Sequence, residues 1–264
     1  MLRGSRFALL ACALPALAQQ PSRGVNWYSV EKEAALGLHL AADFRSQHSM
    51  VDDDSLKTYL SAVTARLNQF AQSQMTIAIE VVASPGKTGE AIGLPGGHLF
   101  VPLSLLISAH DEAELAGTLA HVLAHIAARH GTKQATRGEI VNLATIPLIF
   151  FGFGGCGDDS VLIPTGFMPF RRRDETEADQ LAIEWMTRAG YAPAAWAAYL
   201  ERVKPQSLLP LAERIASIMS APPPVNAIET GGFPEAQARA RAITPPPKPD
   251  QPPTLRRRPK ADEP

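Results

Sequence analysis

The stretch AHVLAHIAARHG, residues 120–131, decides how the chain is read. Its alanines, leucine and isoleucine suit a helix. On a helix, residues four apart lie about 40° apart on one face. His121 and His125 therefore point the same way, and two neutral imidazoles so placed can share one metal ion. A pair alone also occurs in helices that hold no metal, because a bound ion needs at least a third protein ligand.

The flanking sequence gives this helix ends. Ser108 followed by Asp111 resembles a capping box, with Asp111, Glu112 and Glu114 as first-turn acids. Arg129 and His130 ahead of Gly131 predict termination there. Upstream, residues 31–44 and 53–70 show helical apolar spacing, the second with Asp54 or Ser55 as N-cap. Residues 75–84 are rich in β-branched side chains and predict a strand, followed by a PGKTG turn. EAIGLPGGHLFVPLSLL then gives two short extended pieces broken by Pro95-Gly96-Gly97. Downstream, residues 174–190 predict an amphipathic helix ending at Gly190, Pro193 suits the first turn of the next, and a weaker helix follows near 208–219. The expected fold class is α+β: mostly helical, with a small sheet ahead of the histidine helix.

Basic and acidic side chains number 25 and 26, a balance that gives no reason to expect nucleic acid as a partner. Residues 1–18 have a basic start, a short apolar run and Ala16-Leu17-Ala18, the pattern of a cleavable export signal. The rival reading makes Leu9-Leu10-Ala11-Cys12 a lipoprotein box with Cys12 lipidated, although its apolar core is short. Cleavage after Ala18 leaves Cys156 as the single cysteine and so no intramolecular disulfide. Residues 140–157 carry no charge, but Pro147 and four glycines argue against a membrane-spanning helix. The run suits a packed hairpin, a lid, or a peripheral contact with a bilayer beside Arg171, Arg172 and Arg173. Residues 244–264 hold eight prolines and cannot form a core. The expected organisation is 1–18 signal, 19–205 folded domain, 206–243 helical segment and 244–264 tail.

Three separated pieces together carry a family likeness: LPGG (94–97), ELAGTLAHVLAHIAARH (114–130) and ETEAD (175–179). Their order resembles the zinc metallopeptidase family of HtpX, the CAAX prenyl proteases and the periplasmic BepA-type proteases, over roughly residues 31–203. The resemblance implies a zincin-type domain with His121, His125 and Glu175 as ligands of one zinc ion. Asp179, one turn beyond Glu175, would orient a ligand histidine. Gly96, Gly97, His98, Leu99 and Phe100 would form an edge strand that pairs with extended polypeptide. The local alternative makes Glu175 and Asp179 first-turn acids offsetting the three arginines. His130, five residues past His125, is expected at the helix end and off the zinc face.

The sequence departs from that family at a decisive place. The family pattern is H-E-x-x-H, whose glutamate moves the proton of the attacking water, and here the position is Val122. Glu114 lies two turns, about 10.5 Å, from His121, and Glu177 should face away from the metal. Glu90 stands where the family usually has asparagine and is the nearest substitute base. Ser104 replaces a usual glycine, and SAPPPV (220–225) a T-H-P segment. The expectation is an exported, periplasmic or membrane-associated zinc metalloendopeptidase relative acting on unfolded polypeptide, weakly active or inactive for want of its base. The alternative is a non-enzymatic peptide-binding chaperone or adaptor on the same fold.

Overall fold

Strand β4 (His98–Pro102) is buried along its whole length, and the other elements are arranged around it. The computed structural model describes residues 25–71, 73, 75–83, 90–141, 168–204, 207–224, 226–228 and 231–244. The export signal with Cys12, the PGKTG turn, Cys156, nearly all of the uncharged run and the proline-rich tail lie outside them.

The sheet is small and mixed, in the order β1 (Met50–Val51), β2 (Ala78–Val82), β4, β3 (Ile92–Leu94). β4 runs parallel to β2 and antiparallel to β3, with Leu99 opposite both Ile79 and Gly93. Alternate residues of the sheet serve two cores, as the pleat requires. Val82, Leu94 and Phe100 pack against Leu40 and Ala41 of α1 (Val30–Gln47). Val81, Leu99 and Val101 face the main core, built with α2 (Asp54–Asn68), α3 (Leu103–Ser108) and α4 (Glu112–Ala127). Beyond α4 lie α6 (Met168–Ala189) and α7 (Pro193–Val203), which contribute the buried Trp185, Trp196 and Tyr199, with buried Tyr191 in the connection between them. α5 (His130–Val141), α8 (Leu211–Met219) and α9 (Phe233–Ile243) complete the helices among the described residues. The α+β expectation holds.

The break at Pro95-Gly96-Gly97 falls where expected, as a 3-10 turn whose glycines have φ of 78° and 93°, so the chain reverses there and lays β4 inside the sheet. Other local expectations need correction. β4 has strands on both sides. Its backbone donors and acceptors are committed, so Gly96–Phe100 is not an edge strand, and β1 and β3 are the edges. The cap of α2 is Asp53, whose Oδ1 accepts from the Leu56 amide at 3.0 Å, rather than Asp54 or Ser55. Ser108 ends α3, while Asp111 caps α4 by accepting from the Glu114 amide at 2.8 Å.

The first-turn acids of α4 have tertiary work beyond the helix dipole. Buried Glu112 accepts from Tyr59 Oη at 2.8 Å, Arg66 Nη1 at 2.9 Å and Tyr191 Oη at 2.6 Å. Buried Glu114 pairs with Arg202 of α7. At the far end, α4 stops at Ala127 with Ala128 as its cap, and the chain turns at Arg129 rather than at Gly131. Arg129 takes φ of 57°, a left-handed conformation costing about 1–2 kcal/mol for a side-chain-bearing residue. Its guanidinium pairs with buried Glu33 of α1 and donates to the Tyr28 carbonyl at 2.7 Å, which holds it there. α5 begins at the next residue.

Gly117 lies where α4 packs directly against Trp196 of α7. A β-carbon added there would lie 2.3 Å from both Cβ and Cγ of Trp196. Gly117→Ala should therefore destabilise the protein by about 1–3 kcal/mol through overpacking, outweighing the roughly 0.5–1 kcal/mol that alanine gains in a helix. Urea denaturation measures the balance, and an unchanged midpoint would contradict this packing.

Candidate metal centre

Helix α4 is buried on nearly every face, so its two histidines sit inside the protein rather than on a surface stripe. Their Nε2 atoms approach to 3.2 Å. Glu175, in the interior of α6, brings one carboxylate oxygen 3.6 Å from His121 Nε2 and the other 3.8 Å from His125 Nε2. A tetrahedral zinc with bonds near 2.05 Å would set its ligand atoms about 3.3 Å apart. The three separations straddle that edge length. Buried Glu175 Oε2 has no hydrogen-bond partner, which is costly in a metal-free core and resolved by a cation. The donor set therefore fits one small divalent ion of the zinc type.

The outward nitrogens of both histidines are also occupied. His121 Nδ1 lies 2.9 Å from Asp179 Oδ1. Asp179 is gripped in turn by Arg214 of α8, with Nε to Oδ2 at 2.8 Å and Nη2 to Oδ1 at 2.7 Å. Burial opposes ionisation of Asp179, but His121 and Arg214 prevail and hold its pKa below the ordinary value. His125 Nδ1 lies 3.1 Å from Nδ1 of His130, which is completely buried. His130 was expected at a helix end away from the site. Instead the left-handed turn at Arg129 swings it back under His125.

A small pocket opens beside His121, lined by Glu90, Thr118, Val122, Trp196 and Arg214 among others. The pocket is small, about 30 Å³. Val122 sits at the pocket wall under β3. A β-carbon added at Gly93 would stand 2.6 Å from its Cγ1. Glu90 also faces this space, and its buried Oε2 has no hydrogen-bond partner. Burial pushes the Glu90 pKa up to about 7 against the pull of Arg214. Of the residues expected at the site, His121, Val122, His125, Glu175 and Asp179 converge, whereas His98, Leu99 and Phe100 lie in the interior strand. Sequence reasoning missed Arg214 and His130. Arg214 is one charge on a helix read as weak, and its buried partner lies 35 residues away.

Two histidines and a glutamate on packed helices, with a carboxylate behind one histidine, form a group that could hold a metal ion, the arrangement a metallopeptidase requires. Residues 54–244 match peptidase family M48, and the chain belongs to that family. It is 34% identical over 118 residues to the mitochondrial metalloendopeptidase OMA1 of Saccharomyces cerevisiae, covering 44% of this chain and 33% of the relative. The same protein of Schizosaccharomyces pombe is 34% identical over 151 residues, 55% of this chain and 43% of the relative. The beta-barrel assembly-enhancing protease of Yersinia pestis is 23% identical over 190 residues, 68% of this chain and 39% of the relative. The chain thus spans less than half the length of these relatives.

Without a cation, burial raises the Glu175 pKa to about 8. A carboxyl raised on folding costs nothing below its unfolded value near 4.5, where it is protonated in both states, and destabilises the fold increasingly from there to about pH 8. Chelator-stripped Glu175→Gln should match stripped wild type at pH 4.5 and melt higher than it at pH 8.5. Equal melting at pH 8.5 would contradict the burial of an uncompensated carboxylate.

Proposed function

We propose that this chain is an exported zinc-binding member of family M48 that holds unfolded or extended polypeptide and cleaves it weakly or not at all. The observation carrying this reading is the convergence of His121, His125 and Glu175 around one buried point with Val122 beside it. Those three residues would hold the ion. When bound, zinc supplies polarisation of the scissile carbonyl and of the attacking water.

The chain's own residues divide the remaining tasks. Asp179, fixed by Arg214, orients His121 and stabilises its Nδ1–H tautomer. The edge strand β3, set against Val122, is the place for an extended substrate backbone to add as a further strand. Val122 can neither accept the proton of the attacking water nor return one to the leaving amine. General acid–base catalysis of that kind contributes about 10²–10⁴-fold. Among the described residues, no helix is long and apolar enough to cross a membrane. Export rests on residues 1–18, and any membrane contact would be peripheral, through 140–157.

A second reading is favoured by half-buried Glu90, whose buried Oε2 has no hydrogen-bond partner in the same pocket as His121. In it, Glu90 takes the proton that Val122 cannot, and some turnover survives. Cleavage of an unfolded protein substrate by zinc-loaded wild type, Val122→Glu and Glu90→Gln separates these readings. The proposal expects wild type near background, Val122→Glu faster by about 10²–10⁴-fold, and loss of that gain with His121→Ala. Wild-type turnover equal to that of Val122→Glu overturns it, and abolition of such turnover by Glu90→Gln assigns the base to Glu90. If neither protein cuts while both bind zinc and peptide, the chain is a peptide-holding module on a peptidase fold.

A further inference from the structure

The structure supplies a carboxylate behind His121 but puts another histidine behind His125. His130 is completely buried, and its Nδ1 lies 3.1 Å from His125 Nδ1. Two imidazole nitrogens at that distance need one proton between them. If His125 Nε2 faces Glu175 and His121 as a lone pair, His125 Nδ1 carries the hydrogen and His130 Nδ1 accepts it. His130 must then carry its own hydrogen on Nε2. That atom makes no hydrogen bond of ordinary length. It points between two carboxylates of α6, 3.5 Å from Glu177 Oε2 and 3.9 Å from Asp174 Oδ1. A positive Nε2–H beside two anions is the favourable arrangement, and a lone pair there would be repelled.

His130, Asp174 and Glu177 also have the makings of a second cation site. The surroundings argue against that use. Asp174 Oδ2 already accepts from Gln134 Nε2 and Arg137 Nη1, each at 2.9 Å. Buried Lys133 faces the same two carboxylates. Two anions are thus balanced by two cations, and a divalent ion added one imidazole away from the first would be uncompensated.

We propose that His130 is a positioning residue of the metal centre: backed by Glu177 and Asp174, it fixes His125 in the Nδ1–H tautomer and turns its Nε2 lone pair toward His121 and Glu175. The inference rests on the zinc-binding reading above for its consequence, though not for its geometry. The chain Glu177–His130–His125 does for one ligand what Arg214–Asp179–His121 does for the other. Losing such an outer partner typically costs 10–100-fold in metal affinity.

Two readouts on the full chain test it. Long-range proton–nitrogen spectra of the stripped protein report the His125 tautomer, and competition with a chromophoric chelator reports zinc affinity. Wild type should show His125 protonated on Nδ1. His130→Leu should show mixed tautomers and zinc binding weaker by about 10–100-fold. His130→Asn, whose Oδ1 can accept the same hydrogen, should keep the tautomer and most of the affinity. Should the leucine variant fail to fold, Glu177→Gln carries the test by weakening the anionic backing of His130, with the same direction of change. An unchanged tautomer and affinity in folded variants overturns the proposal, as does a second zinc equivalent that disappears with His130. Wild type that takes up no zinc overturns the functional reading instead, and the ring spectrum of the stripped protein still decides the role of His130.

Discussion

Everything near the centre follows from placing two imidazoles on a helix that is buried all round. A histidine in a core has two ring nitrogens to satisfy, and leaving either unpartnered costs free energy. On α4, Nδ1 of His121 is met by Asp179 and Nδ1 of His125 by His130. The two Nε2 atoms are left facing each other and the Glu175 carboxylate. Without a cation that inner cluster is badly satisfied, with an orphaned carboxylate oxygen and a carboxyl pushed up by burial. One divalent ion would resolve all of these conflicts at once.

The fold supports the cluster from several sides. α6 packs on α4 and delivers Glu175 and Asp179 from one face, one helical turn apart. Arg214 arrives from α8 and closes a buried ion pair on Asp179, so a C-terminal helix is tied through Asp179 to His121. Arg129 follows α4 in a left-handed turn, anchored on Glu33 of α1, and thereby brings His130 beneath His125. The sheet contributes its edge: β3 lies against Val122, at the mouth of the pocket that Glu90 shares.

Much of this was legible in the chain. The i, i+4 histidines, the glycine turn before β4 and the proline opening α7 obey local rules of spacing and backbone geometry, while Glu175 and Asp179 were tied to the histidines by the family resemblance and not by their local pattern. Less legible were features set by partners distant in sequence. Nothing around Gly131 shows that Arg129 would take the left-handed turn, because the reason is a buried glutamate 96 residues earlier. The family resemblance made residues 96–100 an edge, and their pairing on both sides depends on β2 and β3 together, which no local pattern shows. Glu112 and Glu114 looked like ordinary first-turn acids because their arginine and tyrosine partners lie on other helices. Val122 is the opposite case: its meaning came from the sequence pattern, and the structure adds what surrounds it.

The most direct measurement of the central claim is X-ray absorption at the zinc edge on the zinc-loaded full chain. The account predicts one zinc per chain in a nitrogen and oxygen environment, with bonds near 2.0–2.1 Å and multiple-scattering features of two imidazoles, both lost when His121 and His125 are replaced. Sulfur in the shell, fewer than two imidazoles, or no stoichiometric zinc at all would contradict it.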